Sequence, residues 1–320
     1  MDALFIMLRN VILFVALAIP GYLLVKTGQL KQEQSAALSK MMMYMGMPFL
    51  IFSSTISKMV FNKELLFSFA FVAVVGVVYT VFMFFTSKPL SAMEKDVKKS
   101  GLMRFCEVFA NNGFLGIPLA IAVFGADSPV MTVLIILNIL TNVLLYTLGI
   151  YLVTGDKSKM SLKKGILNPG LSAFILGIIC NLLDVKSVVP EIATYATHFS
   201  NIVTPVSMTI LGMKMGSVKL SALFAKWKTY YVSFIRLVVY PVIITAIVFV
   251  LKLIFPGSFI DGNMVLGFFI AFSMPTAGLA STLADGFGGD TENAVAFTLG
   301  TTILSIITIP VLYWIVCMCL

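Results

Sequence analysis

Hydrophobic residues along the chain gather into long runs separated by short polar connections. A helix needs about 20 apolar residues to cross a hydrocarbon core of ~30 Å. Ten runs of roughly this length are present, and they predict an all-α polytopic membrane protein with ten transmembrane helices. The runs lie near residues 4–25, 37–57, 64–87, 101–124, 129–153, 166–184, 190–213, 229–254, 263–284 and 293–318.

The composition supports lipid rather than water as the surrounding solvent. Of the 320 residues, 59% are hydrophobic and 11% are charged, whereas soluble domains are about 25% charged. The net charge of +8 does not indicate nucleic-acid binding, because the lysines lie in short connections between apolar runs. We therefore expect membrane lipid as a partner and no nucleic acid.

The distribution of positive charge predicts the orientation in the membrane. If the N-terminus is outside, the inside connections near 26–40, 88–104, 157–164 and 214–228 hold sixteen Lys and Arg residues, and the outside connections hold four. Lys and Arg favour the cytoplasmic side. The sequence thus predicts a multi-pass protein of the cell membrane with both termini outside the cytoplasm.

Two segments of similar sequence predict an internal repeat. "VFGADSPVMTV" ends run four, and "GFGGDTENAVA" follows run nine at an offset of 163 residues. Each half then holds five spans, and an odd number of spans places the halves in opposite orientations. This is the inverted repeat of secondary transporters. Repeat one covers about residues 1–155, and repeat two covers about residues 156–320.

Runs four and nine carry helix-breaking residues at matching positions. Run four contains "NNGFLGIP" and run nine contains "MPTAG". Interrupted spans expose helix N-termini, which favour an anion such as a carboxylate. The alternative is a pair of ordinary proline kinks. The substrate-binding candidates at the breaks are Asn111, Asn112, Gly113, Pro275 and Thr276.

Polar residues on the following spans are candidates for the lining of the same site. Asn138 and Asn142 in run five match Thr301 and Ser305 in run ten at the repeat offset. Spacings of three and four residues place each pair on one helical face. The alternative is hydrogen bonding between helices, which such residues commonly supply in membranes.

Ionisable residues inside membrane spans indicate function by default. Glu107 precedes the break in run four, and it has two interpretations: a structural ion pair with Arg236 or Arg104, or a site for a coupling proton. His198 is the single histidine, and we expect it to make a polar contact. No HExxH, GxSxG or Walker pattern occurs, and the four cysteines lack metal-site spacing, so we expect neither an enzyme, a metal nor a cofactor.

Several stretches together resemble the auxin efflux carrier family. They are "NNGFLGIPLA", "FGAD", "MPTAGLASTLADGFGGD" and "TTILSIITIPVLYW", and the resemblance covers essentially the whole chain. The chain looks most like the short bacterial members described as malate or malonate permeases. It lacks the long central hydrophilic loop of the plant carriers.

The resemblance implies a fold similar to that of bile-acid sodium symporters and sodium/proton antiporters. In that fold, helices four and nine are unwound and cross near the middle of two inverted five-helix repeats. Runs one, two, six and seven would form a scaffold domain that also joins two subunits in a homodimer. Runs three to five and eight to ten would form a moving transport domain.

The function predicted from these features is secondary transport of a small organic anion by an elevator-type motion. The anion would be a carboxylate, either a dicarboxylate or an auxin-like compound, held where helices four and nine cross. Coupling to sodium ions or protons is consistent with this fold. The alternatives are a sodium- or proton-coupled cation antiporter, with Glu107 as the coupling residue, and a small-molecule sensor.

Overall fold

The computed structural model describes residues 9, 12–13, 16–58, 63–217, 226–287 and 289–320. Most of the first half of predicted run one, the connection 218–225 and Gly288 of the second repeated segment lie outside the described residues. Every regular element in the described part is a helix. The one β-bridge found there joins Ala110 to Thr276.

Six helices in the described part are long and apolar enough to span a membrane. They correspond to predicted runs two, three, five, six, eight and ten. Two shorter apolar helices, Asn112–Phe124 and Gly262–Ser273, belong to runs four and nine. The six long helices are Gln32–Ile56, Leu65–Leu90, Pro129–Thr154, Lys157–Leu182, Trp227–Ile254 and Thr291–Cys319.

Four of the six long helices consist of shorter α-helical stretches with π-helical or 3₁₀ turns, whereas Leu65–Leu90 and Thr291–Cys319 are continuous α-helix. The π turns are Met42–Gly46, Asn112–Gly116, Leu145–Gly149 and Ile235–Val239. The α-helices are α1 (Ile19–Lys26), α2 (Ser35–Met41), α3 (Met47–Lys58), α4 (Lys63–Leu90), α5 (Val97–Val108), α6 (Ile117–Phe124), α7 (Pro129–Leu144), α8 (Ile150–Thr154), α9 (Leu162–Ile166), α10 (Pro169–Leu182), α11 (Val185–Val188), α12 (Glu191–Ser200), α13 (Val203–Gly216), α14 (Trp227–Phe234), α15 (Tyr240–Ile254), α16 (Gly262–Ser273), α17 (Leu279–Gly286) and α18 (Thr291–Cys319).

The helices pack most closely within two groups. In the first group, α10 and α12 pack on α3, and α13 packs on α1. In the second group, α16 packs on α7 and α15, α7 packs on α4, and α18 packs on α14 and α17. We call these the α3–α13 group and the α7–α16 group, each after two of its own helices.

Ion pairs at one end of the α7–α16 group join its connections. Lys228 pairs with Glu94 at 2.5 Å, and Lys226 pairs with Glu292 at 2.8 Å. The hydrogen bond from Lys228 lowers the pKa of Glu94 from its usual value. These contacts link the segment before α5 to α14, and the segment before α14 to α18.

Run seven differs from its prediction, because it forms two helices rather than one. Helix α12 ends at Ser200, and α13 begins at Val203. Pro205 has no N–H to donate to the carbonyl of Asn201 one turn earlier, which favours an interruption there. His198 is exposed in the last turn of α12.

Candidate functional site

The two interrupted spans meet each other at their breaks. Helix α5 ends at Val108 and the chain resumes its helix at Asn112; α16 ends at Ser273 and α17 begins at Leu279. The intervening segments, 109–111 and 274–278, run antiparallel, and we call them the crossing. The break predicted in run nine lies within the second segment, whereas the first segment begins two residues before the predicted "NNGFLGIP", of which all but Asn111 is helical.

Backbone hydrogen bonds across the crossing satisfy groups that the breaks set free. The N–H of Asn111 donates to the carbonyl of Pro275 at 2.8 Å, and the N–H of Ala277 donates to the carbonyl of Phe109 at 2.8 Å. Backbone groups at membrane depth need such partners, since lipid supplies none. The crossing is thus a two-stranded contact inserted between four half-helices.

Thr276 and Thr301 hold the crossing together through hydrogen bonds. The N–H of Thr276 donates to Oγ1 of Thr301 at 3.2 Å, and its own Oγ1 donates to the carbonyl of Cys106 at 2.8 Å. Both side chains are fully buried. The contact of Thr301 is an interhelical hydrogen bond, which was the alternative interpretation for that residue.

Arg236 joins the two half-helices that end at the crossing. Its fully buried guanidinium donates to the carbonyls of Glu107, Val108, Phe272 and Met274 at 2.9–3.3 Å. A helix C-terminus carries about half a negative charge, so two of them suit a single guanidinium. Arg236 therefore neutralises the negative ends of both half-helices.

Neither predicted ion pair of Glu107 is present among the described residues. Arg236 contacts the backbone carbonyl of Glu107 rather than its carboxylate, because its guanidinium is directed at the two helix ends. Arg104 donates to Ser87 and to the carbonyl of Phe84 instead. The buried carboxylate accepts hydrogen bonds from Oγ of Ser91 at 3.1 and 3.2 Å.

Asn111 and Asn112 stand at the start of the half-helix that follows the first break, and their side chains make different hydrogen bonds. Oδ1 of Asn111 accepts a hydrogen bond from the N–H of Phe114 at 3.3 Å and caps this helix. Asn112 is 4% exposed, its Nδ2 contacts Oγ1 of Thr141 at 3.4 Å, and its Oδ1 has no hydrogen-bond partner among the described residues. Turning the amide by about 180° exchanges Nδ2 and Oδ1 without changing its shape. In either orientation, one of these two atoms of Asn112 lacks a hydrogen-bond partner among the described residues.

The two asparagines of α7 lie beside the same half-helix. Nδ2 of Asn142 donates to the backbone carbonyl of Asn138 at 2.8 Å and contacts its Oδ1 at 3.3 Å. A Cβ atom at Gly113 would lie 3.1 Å from Oδ1 of Asn138. The structure thus brings Asn112, Gly113 and Asn138 together, with Asn142 behind Asn138.

An apolar cavity adjoins the crossing. Pro275, Thr302 and Ser305 belong to its lining, but the cavity surface is almost entirely apolar, and Oγ of Ser305 is already bonded to the carbonyl of Thr302 at 2.6 Å. The remaining lining is apolar and comes from α13, α18 and the two interrupted spans: Leu115, Leu119, Leu211, Met215, Met274, Ile303, Ile306 and Ile309.

Lys214 is a polar residue at the crossing that the sequence interpretation missed. The charge count placed it in an inside connection, but it lies in α13 with its Nζ 3.5 Å from the carbonyl oxygen of Gly278. The sequence feature that could have placed Lys214 in a helix is its position within an apolar stretch, two residues before the helix end at Gly216. Nothing in the sequence indicated which way the side chain points.

Comparison with known proteins agrees with a transporter. The chain is 25% identical over 305 residues to an uncharacterized transporter of Methanothermobacter thermautotrophicus, covering 94% of this chain and 96% of the relative. It is 28% identical over 313 residues to an uncharacterized transporter of Methanocaldococcus jannaschii, covering 95% and 97%. Both of these relatives are archaeal, whereas the resemblance had indicated bacterial members.

The profile of the family described as "Membrane transport protein" matches residues 5–161 and 154–313. Together these segments cover nearly the whole chain, including both interrupted spans and the helices around the cavity. The family is of the auxin efflux carrier type that the sequence motifs indicated. This chain belongs to the membrane transport protein family.

Proposed function

We propose that this protein is a secondary transporter of an organic anion that carries a carboxylate, held at the crossing. The observation that carries the proposal is the open polar atom of Asn112, which is buried at the start of a half-helix. When the amide is turned so that Oδ1 accepts from Oγ1 of Thr141, the open atom is Nδ2, which can donate to a carboxylate. Buried polar atoms without a partner are rare in proteins, and each needs an explanation, of which a bound ligand is the one proposed here. A helix N-terminus favours an anionic ligand there.

The charges around the crossing support an anion rather than a cation. Arg236 compensates the two C-terminal ends, whereas the two N-terminal ends at Asn112 and Leu279 keep their partial positive charge. Among the described side chains, no carboxylate is hydrogen-bonded to either N-terminal end. A carboxylate would therefore supply the compensating negative charge.

The cavity supports an organic anion with an apolar part. Its lining is mostly Leu, Ile and Met side chains, which suit the apolar part of a ligand. The carboxylate would lie at the crossing and the apolar part in the cavity. Asn111, Gly113, Asn138 and Asn142 would complete the polar side, with Pro275, Thr276, Thr301 and Ser305 shaping the remainder.

We further propose an elevator motion in which the α7–α16 group moves against the α3–α13 group. The closer packing within each group than between them supports this division, which coincides with the predicted transport and scaffold domains. The inverted repeat and a homodimer through the scaffold helices belong to the same proposal. Together they would expose the crossing alternately to the two sides of the membrane.

Glu107 is the proposed site of a coupling proton. It is fully buried, and its only described hydrogen-bond partner is the hydroxyl of Ser91. A carboxyl group in that position can bind and release a proton without breaking an ion pair. Glu107→Gln should then abolish uptake driven by a pH gradient and retain substrate binding.

The test of the proposed function is uptake into vesicles that contain the purified protein. Radiolabelled benzoate represents a monocarboxylate with an apolar part, and malonate represents a dicarboxylate. Asn112→Ala should lower uptake of the transported probe at least tenfold, since a buried hydrogen bond to a charged group is worth about 1.5–3 kcal/mol. Uptake by the variant equal to that of the unaltered protein would remove the crossing from the proposal.

Asn181→Ala provides the matched control. Asn181 is also an asparagine within a membrane helix, and its Nδ2 donates to the carbonyls of Thr55 and Ile56, away from the crossing. Its replacement removes two hydrogen bonds between α10 and α3. Uptake should persist in this variant once the amount of folded protein is matched.

A further inference from the structure

Lys214 has too few partners for a charged group inside a membrane helix bundle. An ammonium group has three N–H donors. Among the described residues, Nζ of Lys214 has one acceptor, the carbonyl oxygen of Gly278 at 3.5 Å, and no carboxylate within ion-pair distance. A charge removed from water costs free energy unless it is paired. The arrangement therefore lacks a negative partner.

A second donor faces the same space from the first interrupted span. Oδ1 of Asn111 caps its own half-helix, and this fixes the amide so that Nδ2 points away from that helix. Nδ2 makes no hydrogen bond with a described residue. A Cβ atom at Gly278 would lie 3.5 Å from Nζ of Lys214 and 3.9 Å from Nδ2 of Asn111. The missing side chain of Gly278 thus leaves a space between two nitrogen donors.

The surroundings of this space suit one carboxylate with an apolar part. It lies beside the start of α17, where the helix end adds partial positive charge. Leu211 and Met215, on either side of Lys214 along α13, line the apolar cavity. An anion bound over Gly278 would therefore extend its apolar part along α13 into that cavity.

We propose that Lys214 is the charged partner of the transported anion, with its ammonium group and the amide of Asn111 holding a carboxylate over Gly278. This rests on the proposed function of the crossing as an anion site. Lys214 belongs to the α3–α13 group, whereas Asn111 and Gly278 belong to the crossing within the other group. The bound carboxylate bridges the two groups, so their relative motion separates its ligands and releases it.

The test measures binding of benzoate and of its neutral analogue benzamide to the full-length protein in detergent. Lys214→Gln should weaken benzoate binding roughly 10- to 100-fold, as expected for a lost hydrogen bond between charged groups. Benzamide binding should not change, so the variant loses its preference for the charged ligand. Lys214→Arg should restore that preference. A merely structural lysine would weaken both ligands equally.

Gly278→Ala tests the space itself without touching the lysine. The added Cβ meets its neighbours at ordinary contact distances, so the protein should fold with an unchanged melting temperature while benzoate binding falls. Gly286→Ala, at the end of the helix α17 that follows Gly278, is the control, because nothing lies within 4 Å of its Cβ position. Lys163→Gln, which removes an exposed lysine, controls for charge.

The outcomes separate this inference from the proposed function. Benzoate binding that is lost in Asn112→Ala but retained in Lys214→Gln and Gly278→Ala would overturn the role of Lys214 and leave the crossing as the anion site. Binding lost in Lys214→Gln and retained in Asn112→Ala would support Lys214 and remove Asn112. Absence of binding and uptake of both benzoate and malonate by the unaltered protein would overturn both proposals.

Discussion

Arg236 shows how a single buried charge makes two broken helices compatible with a membrane. Breaking a helix leaves carbonyl groups without partners, and each costs free energy in a medium without water. The planar guanidinium has five donors in a fixed arrangement and serves carbonyls from both α5 and α16. One residue of α14–α15 thereby ties two helix ends that are distant in sequence.

Replacing Arg236 should destabilise the protein more than replacing any other arginine in the described spans. Arg236→Met leaves four carbonyls without a donor, and an unsatisfied buried group costs about 1–3 kcal/mol. We expect a large fall in the melting temperature measured in detergent. Arg236→Lys should recover little, because one ammonium group cannot reach both helix ends in the same geometry.

Arg104→Met is the matched comparison for this prediction. Arg104 is partly buried and donates to Ser87 and to the carbonyl of Phe84. It is close to the same break but does not bond either helix end at the crossing. An Arg236→Met protein that melts no lower than Arg104→Met would contradict the role that we assign to Arg236.

The sequence pointed to the proposed site only through residues that are unusual in a membrane helix. Asn111 and Asn112 stood out because two adjacent asparagines are unexpected in an apolar span. The partners of Arg236 were mispredicted because they are backbone carbonyls, which a sequence pattern does not display. Lys214 was missed because a lysine near a helix end is usually a connection residue.

At the scale of elements, close packing of α1 against α13 determines where Lys214 lies. A Cβ atom at Gly212 would overlap the carbonyl oxygen of Ala18, so the two helices approach to backbone contact. Small residues permit this approach between membrane helices. Because Lys214 is two residues beyond Gly212, the same contact fixes the side of α13 that faces the crossing.

Gly212→Ala should therefore separate α1 from α13 and lower stability. Overpacking of this kind costs about 1–3 kcal/mol. Gly216→Ala affects the same interface, but its Cβ would still lie 3.0 Å from the nearest atom, the carbonyl oxygen of Tyr22. Thermal unfolding in detergent should rank Gly212→Ala below Gly216→Ala; the opposite order would show that the α1–α13 contact is not the constraint.

The sequence could predict that the helices of runs four and nine are interrupted, but it did not predict that run seven forms two helices. Runs four and nine each concentrate Gly, Pro, Asn or Thr within a few residues, so local sequence alone disfavours a continuous helix. Run seven has Pro205 as its one strong breaker, and a single proline is compatible with a kinked span. Tertiary packing of α12 on α3 and of α13 on α1 decides that case.

At the scale of the whole molecule, the two packing groups and the crossing are consistent with one transporter unit. Its charged side chains are concentrated at the ends of the helices. Most described ion pairs lie at one end of the α7–α16 group, near Glu94, Lys226 and Glu292. The predicted inside connections include these residues. The overall orientation therefore depends on which side of the membrane this charged end faces.

Cysteine labelling tests the predicted orientation of the whole chain. Cys319 is exposed at the end of α18, whereas Cys106 is buried and Cys180 and Cys317 are half-buried. In a protein with Cys180→Ser and Cys317→Ser, a maleimide that cannot cross membranes should label Cys319 from outside intact cells. Adding Cys319→Ser to this protein should abolish the label, because Cys106 is inaccessible.

An inside marker makes the orientation test decisive. Ser158 is exposed in the turn Lys157–Lys159, which the charge distribution places in the cytoplasm. In the protein without Cys180, Cys317 and Cys319, Ser158→Cys should be labelled only after the cells are permeabilised. The reverse result, with Ser158→Cys labelled in intact cells and Cys319 protected, would invert the molecule. The Glu94–Lys228 end would then face outside, and the lysine-rich connections would oppose the usual charge rule.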